Sequence, residues 1–155
     1  MADIIRDAIV ATLAAIPDIG KVHGYQRYSA RTKDLVDMYA YNGQLRGWFV
    51  RRFSVIDKDT SLGSRQETTR WYIRGYMAVD DAVKSELAFD DLLDAIREAF
   101  RVQWWPNDLG SSVIHRKYNE QVDVSVDETG PVMFAGVLCH SARCSLIVWN
   151  HVTYL

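Results

Sequence analysis

Between Arg70 and Val79 apolar and polar side chains alternate, with Trp71, Ile73, Met77 and Val79 on one side and Arg70, Tyr72, Arg74 and Tyr76 on the other. A period of two with one apolar side predicts a strand buried on a single face. Past the turn-prone Asp80-Asp81 the period lengthens. Phe89, Leu92, Leu93, Ile96, Ala99 and Phe100 recur at three- and four-residue steps, with Asp90, Asp91, Asp94, Arg97 and Glu98 between them. This spacing predicts an amphipathic helix, with acids near its start and Arg97 and Arg101 near its end, as the helix dipole prefers. A half-wet strand followed by a one-sided helix needs a sheet for the helix to lie on.

Elsewhere the same two periods divide the chain. From Asp3 to Ala15, Ile4, Ile5, Ala8, Ile9, Thr12 and Leu13 share one side, and Pro17 with Gly20 closes this first helix. Lys21 to Tyr28 alternates as a short strand, and Ser29 to Gly43 reads as a short helix or an ordered loop. Leu45 to Ile56 is a strong strand, with Phe49, Phe53 and Val55 on one side and Trp48, Val50, Arg52 and Ile56 on the other. Together with Glu67 to Val79 it forms a long antiparallel hairpin. The polar connection Asp57 to Gln66 reads as a mobile loop, either a tolerated surface insertion or an arm with Asp57, Lys58, Asp59, Leu62 and Arg65 as candidate partner contacts. Trp104-Trp105 opens a turn-rich segment ending at Gly110. Gln121 to Asp127 is a half-buried strand, Asp127 to Pro131 a turn, and Val132 to His140 and Arg143 to Tyr154 are further strands, with a break near Ser141 and Ala142. The sum is a single α+β domain over residues 1–155: one mostly antiparallel sheet, amphipathic helices packed on one face, and a long protruding β-hairpin.

Composition narrows the possible tasks. A net charge of -2 and a pI near 6.1 argue against a protein whose main work is gripping nucleic acid by its phosphates. The acidic start Met1-Ala2-Asp3 does not resemble a secretory signal, and no apolar run is long enough to span a membrane, so the expectation is a chain made in the cytoplasm. Cys139 and Cys144 could form a disulfide or half a metal site, but no second ligand pair of matching spacing accompanies them. No phosphate-cradling glycine loop, nucleophile elbow or helical metal-ligand spacing is present. The expectation is a non-enzyme with no catalytic residues, no metal and no cofactor.

One composition does stand out. Arg46, Arg51, Arg52, Arg70 and Arg74 accompany Trp48, Tyr72 and Tyr76 on the hairpin, and arginine beside aromatic residues is the composition of interface anchors. Trp104 and Trp105 join them as interface candidates, because adjacent tryptophans cannot both enter the same side of a strand; packing in the core is the alternative reading of the pair. A single-stranded nucleic acid would suit the same arginine-aromatic set, and a solvated face with arginine stems over rings is the bland alternative. A hydrolase assembled near His140 is a further rival.

Several segments taken in order carry a family resemblance. They are the N-terminal helix ending in Ile-Pro-Asp-Ile-Gly, the early strand, the hairpin strand Thr69-Arg70-Trp71-Tyr72-Ile73-Arg74-Gly75-Tyr76, the helix Leu92-Leu93-Asp94-Ala95-Ile96-Arg97-Glu98-Ala99-Phe100, and the closing run Gly136 to Leu146. This order resembles the tail terminator, or tail completion, proteins of long-tailed bacteriophages, nearest to those of Mu-like phages. The resemblance implies a virion protein of the tail, assembled in the host cytoplasm as a hexameric ring at the head-proximal end of the tube. Such a ring stops tube polymerisation and joins tail to head. The partners implied are further copies of the chain, the tail tube protein and the head-neck connector, with genome DNA passing through the ring without sequence-specific binding. A neck or head-completion subunit shares the size and the ring habit.

Overall fold

The computed structural model describes residues 2–101, 112–113 and 124–153. Helix α1 (Ala2–Ala14) leads into β1 (Lys21–His23), α2 (Thr32–Met38) and β2 (Ala40–Tyr41). The long pair β3 (Gln44–Ser61) and β4 (Ser64–Ala78) follows, then a single 3-10 turn (Asp81–Val83) and α3 (Ser85–Arg101). Strands β5 (Ser112–Val113), β6 (Ser125–Phe134) and β7 (Val137–Thr153) complete the described chain. The sheet runs β1-β3-β4-β7-β5, with β2 added to β3 and β6 to β7. Every pairing is antiparallel except β1 on β3. This is the α+β class that the two periods predict.

Helices α1 and α3 cover one face of the sheet. Their stripes of Ile5, Ile9, Leu13 and Phe89, Leu92, Leu93, Ile96, Phe100 meet Trp48, Val50, Trp71, Ile73, Met77, Cys144, Leu146 and Val148 in the main core. Burying side chains of this size contributes about 1.5–3 kcal/mol apiece, so this layer supplies most of the fold's stability. The other face is not left bare, as the expectation of helices on one face implies. Short α2 lies over one end of it, where Leu35, Val36 and Met38 pack on a second cluster of Tyr39, Leu45, Phe49, Tyr76 and Cys139. Among the described residues nothing covers the rest of that face.

The sequence-based boundaries need four corrections. Segment Asp57–Gln66 is not a loop: β3 continues to Ser61, a tight turn passes through Leu62 and Gly63, and β4 begins at Ser64. Gly63 has φ +82°, the left-handed backbone that glycine adopts without steric cost. Strand β7 then runs beside β4 as far as the Ser64 and Thr153 pair. The turn expected at Asp127–Pro131 lies instead at Ala135–Gly136, whose φ values of +51° and +76° suit a primed hairpin turn. Strand β7 passes Ser141 and Ala142 without a break. Strand β1 stops at His23, short of the expected Tyr28.

A bulge decides which side chains face where. Arg52 pairs with Trp71 but Ser54 with Arg70, so Phe53 is the extra residue. Before the bulge, odd-numbered β3 residues share a face with Tyr72 and Arg74. Past it, Ile56 takes that face opposite Thr68, and Val55 moves to the helix side opposite Thr69.

Candidate interaction face

The open part of the second face is built from three neighbouring strands. Arg51, Tyr72 and Ser145 lie side by side across β3, β4 and β7, as do Phe49, Arg74 and Arg143 in the next row and Ser54, Arg70 and Ile147 on the other side. Phe53 stacks on Tyr72 with ring centroids 4.5 Å apart and planes at 27°. The Arg143 guanidinium lies 4.7 Å over the same Tyr72 ring and reaches Asp127 at 3.9 Å and Glu128 at 3.7 Å. A shallow cavity of about 210 Å³ lined by Gln26, Phe49, Arg51, Phe53, Tyr72, Arg74 and Tyr76 marks where this open region meets the part under α2.

Electrostatically the face is unfinished. Arg143 has its carboxylates, but Arg51, Arg70 and Arg74 make no ion pair among the described residues. Phe53 is 54% exposed and Ile56 65% exposed beside them. Apolar surface next to uncompensated guanidinium groups is the usual make-up of a contact surface. The strand itself is also incomplete. Strand β1 reaches only Gly47 to Phe49 and β2 only Gln44 and Leu45, so among the described residues nothing pairs with the outer edge of β3 from Val50 to Ser61.

Not all the predicted candidates gather here. Arg51, Arg70, Tyr72 and Arg74 do. Trp48 belongs to the opposite face: it is 1% exposed, stacks on Phe89 at 5.7 Å, and donates its Nε1 hydrogen to the Ile19 carbonyl at 2.8 Å. Arg46 and Arg52 share that helix-covered side. Arg46 donates to the Asp18 carbonyl at 3.0 Å and so holds the loop after α1. Tyr76 is on the same face as Tyr72 and Arg74 but buried, with Phe134 stacked on it at 4.0 Å. Trp104 and Trp105 lie outside the described residues. Of the arm candidates, Asp57, Lys58 and Asp59 are strand residues of β3, Leu62 is exposed at the turn, and Arg65 of β4 pairs with Asp57 and Glu67, each at 3.8 Å. The exposed edge residues Phe53 and Ile56 were missed as site candidates. The bulge that exposes Ile56 on this face leaves no mark in the apolar pattern.

His140, the residue a hydrolase would need, shares a 2.7 Å hydrogen bond with Ser85 Oγ, which also accepts the Asp80 N–H at 2.8 Å. These bonds tie the start of α3 to β7. Ser141 and Ser145 sit on the opposite side of β7 from His140, because adjacent strand positions alternate. No catalytic triad is assembled from them. Asp123 and His115 lie outside the described residues.

Strand alternation also separates the cysteines. Cys139 enters the cluster under α2 and Cys144 the main core, so the two thiols lie on opposite faces of β7 and cannot bond to each other. Burial pushes the Cys139 thiol up from 9.0 to about 11 and the Cys144 thiol up from 9.0 to about 12. Burial likewise raises the Tyr39 phenol from 10.0 to about 12. Each group is neutral in the native state and loses its proton more readily once unfolded. The unfolded chain therefore binds fewer protons above pH ~9, and stability falls as pH rises from there toward ~12. Thermal melts across that window should show a steady decline that a Cys139→Ala, Cys144→Ala variant makes shallower.

Among the described residues no group of His, Cys, Asp or Glu side chains is placed to hold a metal ion, and no helix is long and apolar enough to cross a membrane. A scan against protein-family models finds no match, and no curated protein matches the chain.

Proposed function

We propose that this chain is a structural subunit of the tail terminator kind, assembling head to tail into a ring of roughly six copies that caps the head-proximal end of a phage tail tube. The observation that carries self-assembly is the open sheet face, where among the described residues Arg51, Arg70 and Arg74 have no carboxylate partner and surround the stack of exposed Phe53 on Tyr72. The edge of β3 beside it, unpaired from Val50 to Ser61 among the described residues, adds backbone donors and acceptors that a neighbour can use. The terminator role itself comes from the order of elements along the chain, and neither contact surface requires a cofactor or chemistry. Tube capping tests it. Adding the purified chain to polymerising tail-tube protein should stop elongation and leave a density at one end of each tube in negative-stain images. Tubes that grow to the same length distribution, with bare ends, overturn the terminator role.

A second reading is favoured by the same stack, since a base can stack on the exposed Phe53 ring while guanidiniums meet phosphates. It predicts salt-sensitive binding of single-stranded DNA by the free chain.

A further inference from the structure

We infer that the arginine-aromatic face docks on the acidic half of α3 in a second copy of this chain; the inference rests on the ring proposal above and names its junction. The two surfaces lie on opposite sides of the sheet. On one side Arg51 and Arg70 are exposed and Arg74 is half-buried, none with a carboxylate partner among the described residues. On the other side α3 turns its apolar stripe inward and leaves Glu86, Asp90 and Asp91 in solvent. Farther along the helix, Asp94 and Glu98 are taken by Arg97 and Arg101, each at 3.3 Å. Glu86, Asp90 and Asp91 have no such partner among the described residues. Unpaired charge of opposite sign is thus left on opposite faces of one subunit.

The acidic side also has a shape that fits the basic one. Between α3 and β6 a groove of about 100 Å³ opens, with Glu86 and Asp90 on one wall, Gly130 and Pro131 on the other, and His140 within it. A groove of that size admits the end of one side chain. Two carboxylates in it match the planar, multiply donating guanidinium better than they match an ammonium.

Opposite placement dictates the symmetry. A two-fold axis brings one patch against its own copy, which here would set arginine against arginine or carboxylate against carboxylate. A head-to-tail contact sets unlike charges together at every junction, and the ring proposal requires that its rotation close about an axis instead of propagating as a filament.

A charge exchange on the full-length chain tests the junction. One variant carries Arg51→Glu with Arg70→Glu, the other Asp90→Arg with Asp91→Arg. All these positions are exposed, so both variants should keep the wild-type circular dichroism and melting temperature. Each variant alone should run as a monomer in analytical ultracentrifugation where the wild type is assembled, with at least a tenfold rise in the concentration needed for assembly. Mixed in equal amounts they should reassemble, because each junction then joins two native or two reversed surfaces. Wild-type assembly should also weaken as sodium chloride rises. Variants that assemble like the wild type, a mixture that stays monomeric, or a salt-indifferent assembly overturn the junction while the ring proposal stands. A wild-type chain that is monomeric at every concentration, with and without tail tubes, overturns the ring proposal itself, and the junction with it.

Discussion

Alanine at Gly75 is expected to lower the melting temperature by roughly 10 °C, through a loss of about 3 kcal/mol. Gly75 of β4 lies directly opposite Trp48 of β3, and the indole crosses over the glycine, where a Cβ would fall inside the ring. The indole cannot retreat. Its far face is stacked on Phe89 of α3, and its Nε1 hydrogen is bonded to the Ile19 carbonyl in the loop leaving α1. A single methyl group therefore disturbs the sheet and both helices of the main core. Thermal denaturation of Gly75→Ala measures the loss, and the double variant Gly75→Ala, Trp48→Leu should recover part of it because the smaller side chain frees the space. Wild-type stability in Gly75→Ala would mean that the ring does not lie over the glycine. Gly47 is a second such position, its missing Cβ leaving room for the Tyr39 ring.

The second large effect concerns assembly. Phe53→Asp with Ile56→Asp should leave the monomer folded, because both side chains are exposed and neither belongs to either core cluster. Assembly should nevertheless be lost. These residues are apolar, exposed on the open face and next to the β3 edge that is unpaired among the described residues, and truncating or charging an apolar anchor typically costs an interface about 2 kcal/mol or more. Two such changes should raise the concentration for half-assembly at least a hundredfold. Sedimentation velocity of variant and wild type at matched concentration reads the difference directly. A variant that is folded and still assembles would place the contact elsewhere on the molecule.

Elements with one wet and one dry side were legible from the sequence. The α3 stripe of Phe89, Leu92, Leu93, Ile96 and Phe100 and the β4 alternation of Trp71, Ile73 and Met77 are buried as the periods predict. Where both sides are wet the period vanishes. Asp57-Lys58-Asp59-Thr60-Ser61 is polar at every position, so it reads as loop although its backbone pairs with β4 to the turn. Asp127 to Pro131 was hidden in the same way: polar residues with Gly130 and Pro131 signal a turn, yet as an outer strand β6 needs pairing only on its β7 side.

The candidate site was half legible for a related reason. Composition pointed to the β3–β4 hairpin, and Arg51, Arg70, Tyr72 and Arg74 share its open face. Composition could not assign faces. Trp48 is an interface type that went to the core because Gly75 gives its ring a place across the strand pair, and Tyr76 is covered by Phe134 from a hairpin distant in sequence. The bulge at Phe53, which moves Ile56 to the open face, is a feature of pairing between strands and has no signature within one strand.

The most direct test is the mass of the wild-type chain in solution, by light scattering across a wide range of concentration, with negative-stain imaging of the heaviest species. The account predicts a closed ring of roughly six subunits, either free or formed when tail tubes are added. A monomer at every concentration, with or without tubes, contradicts it.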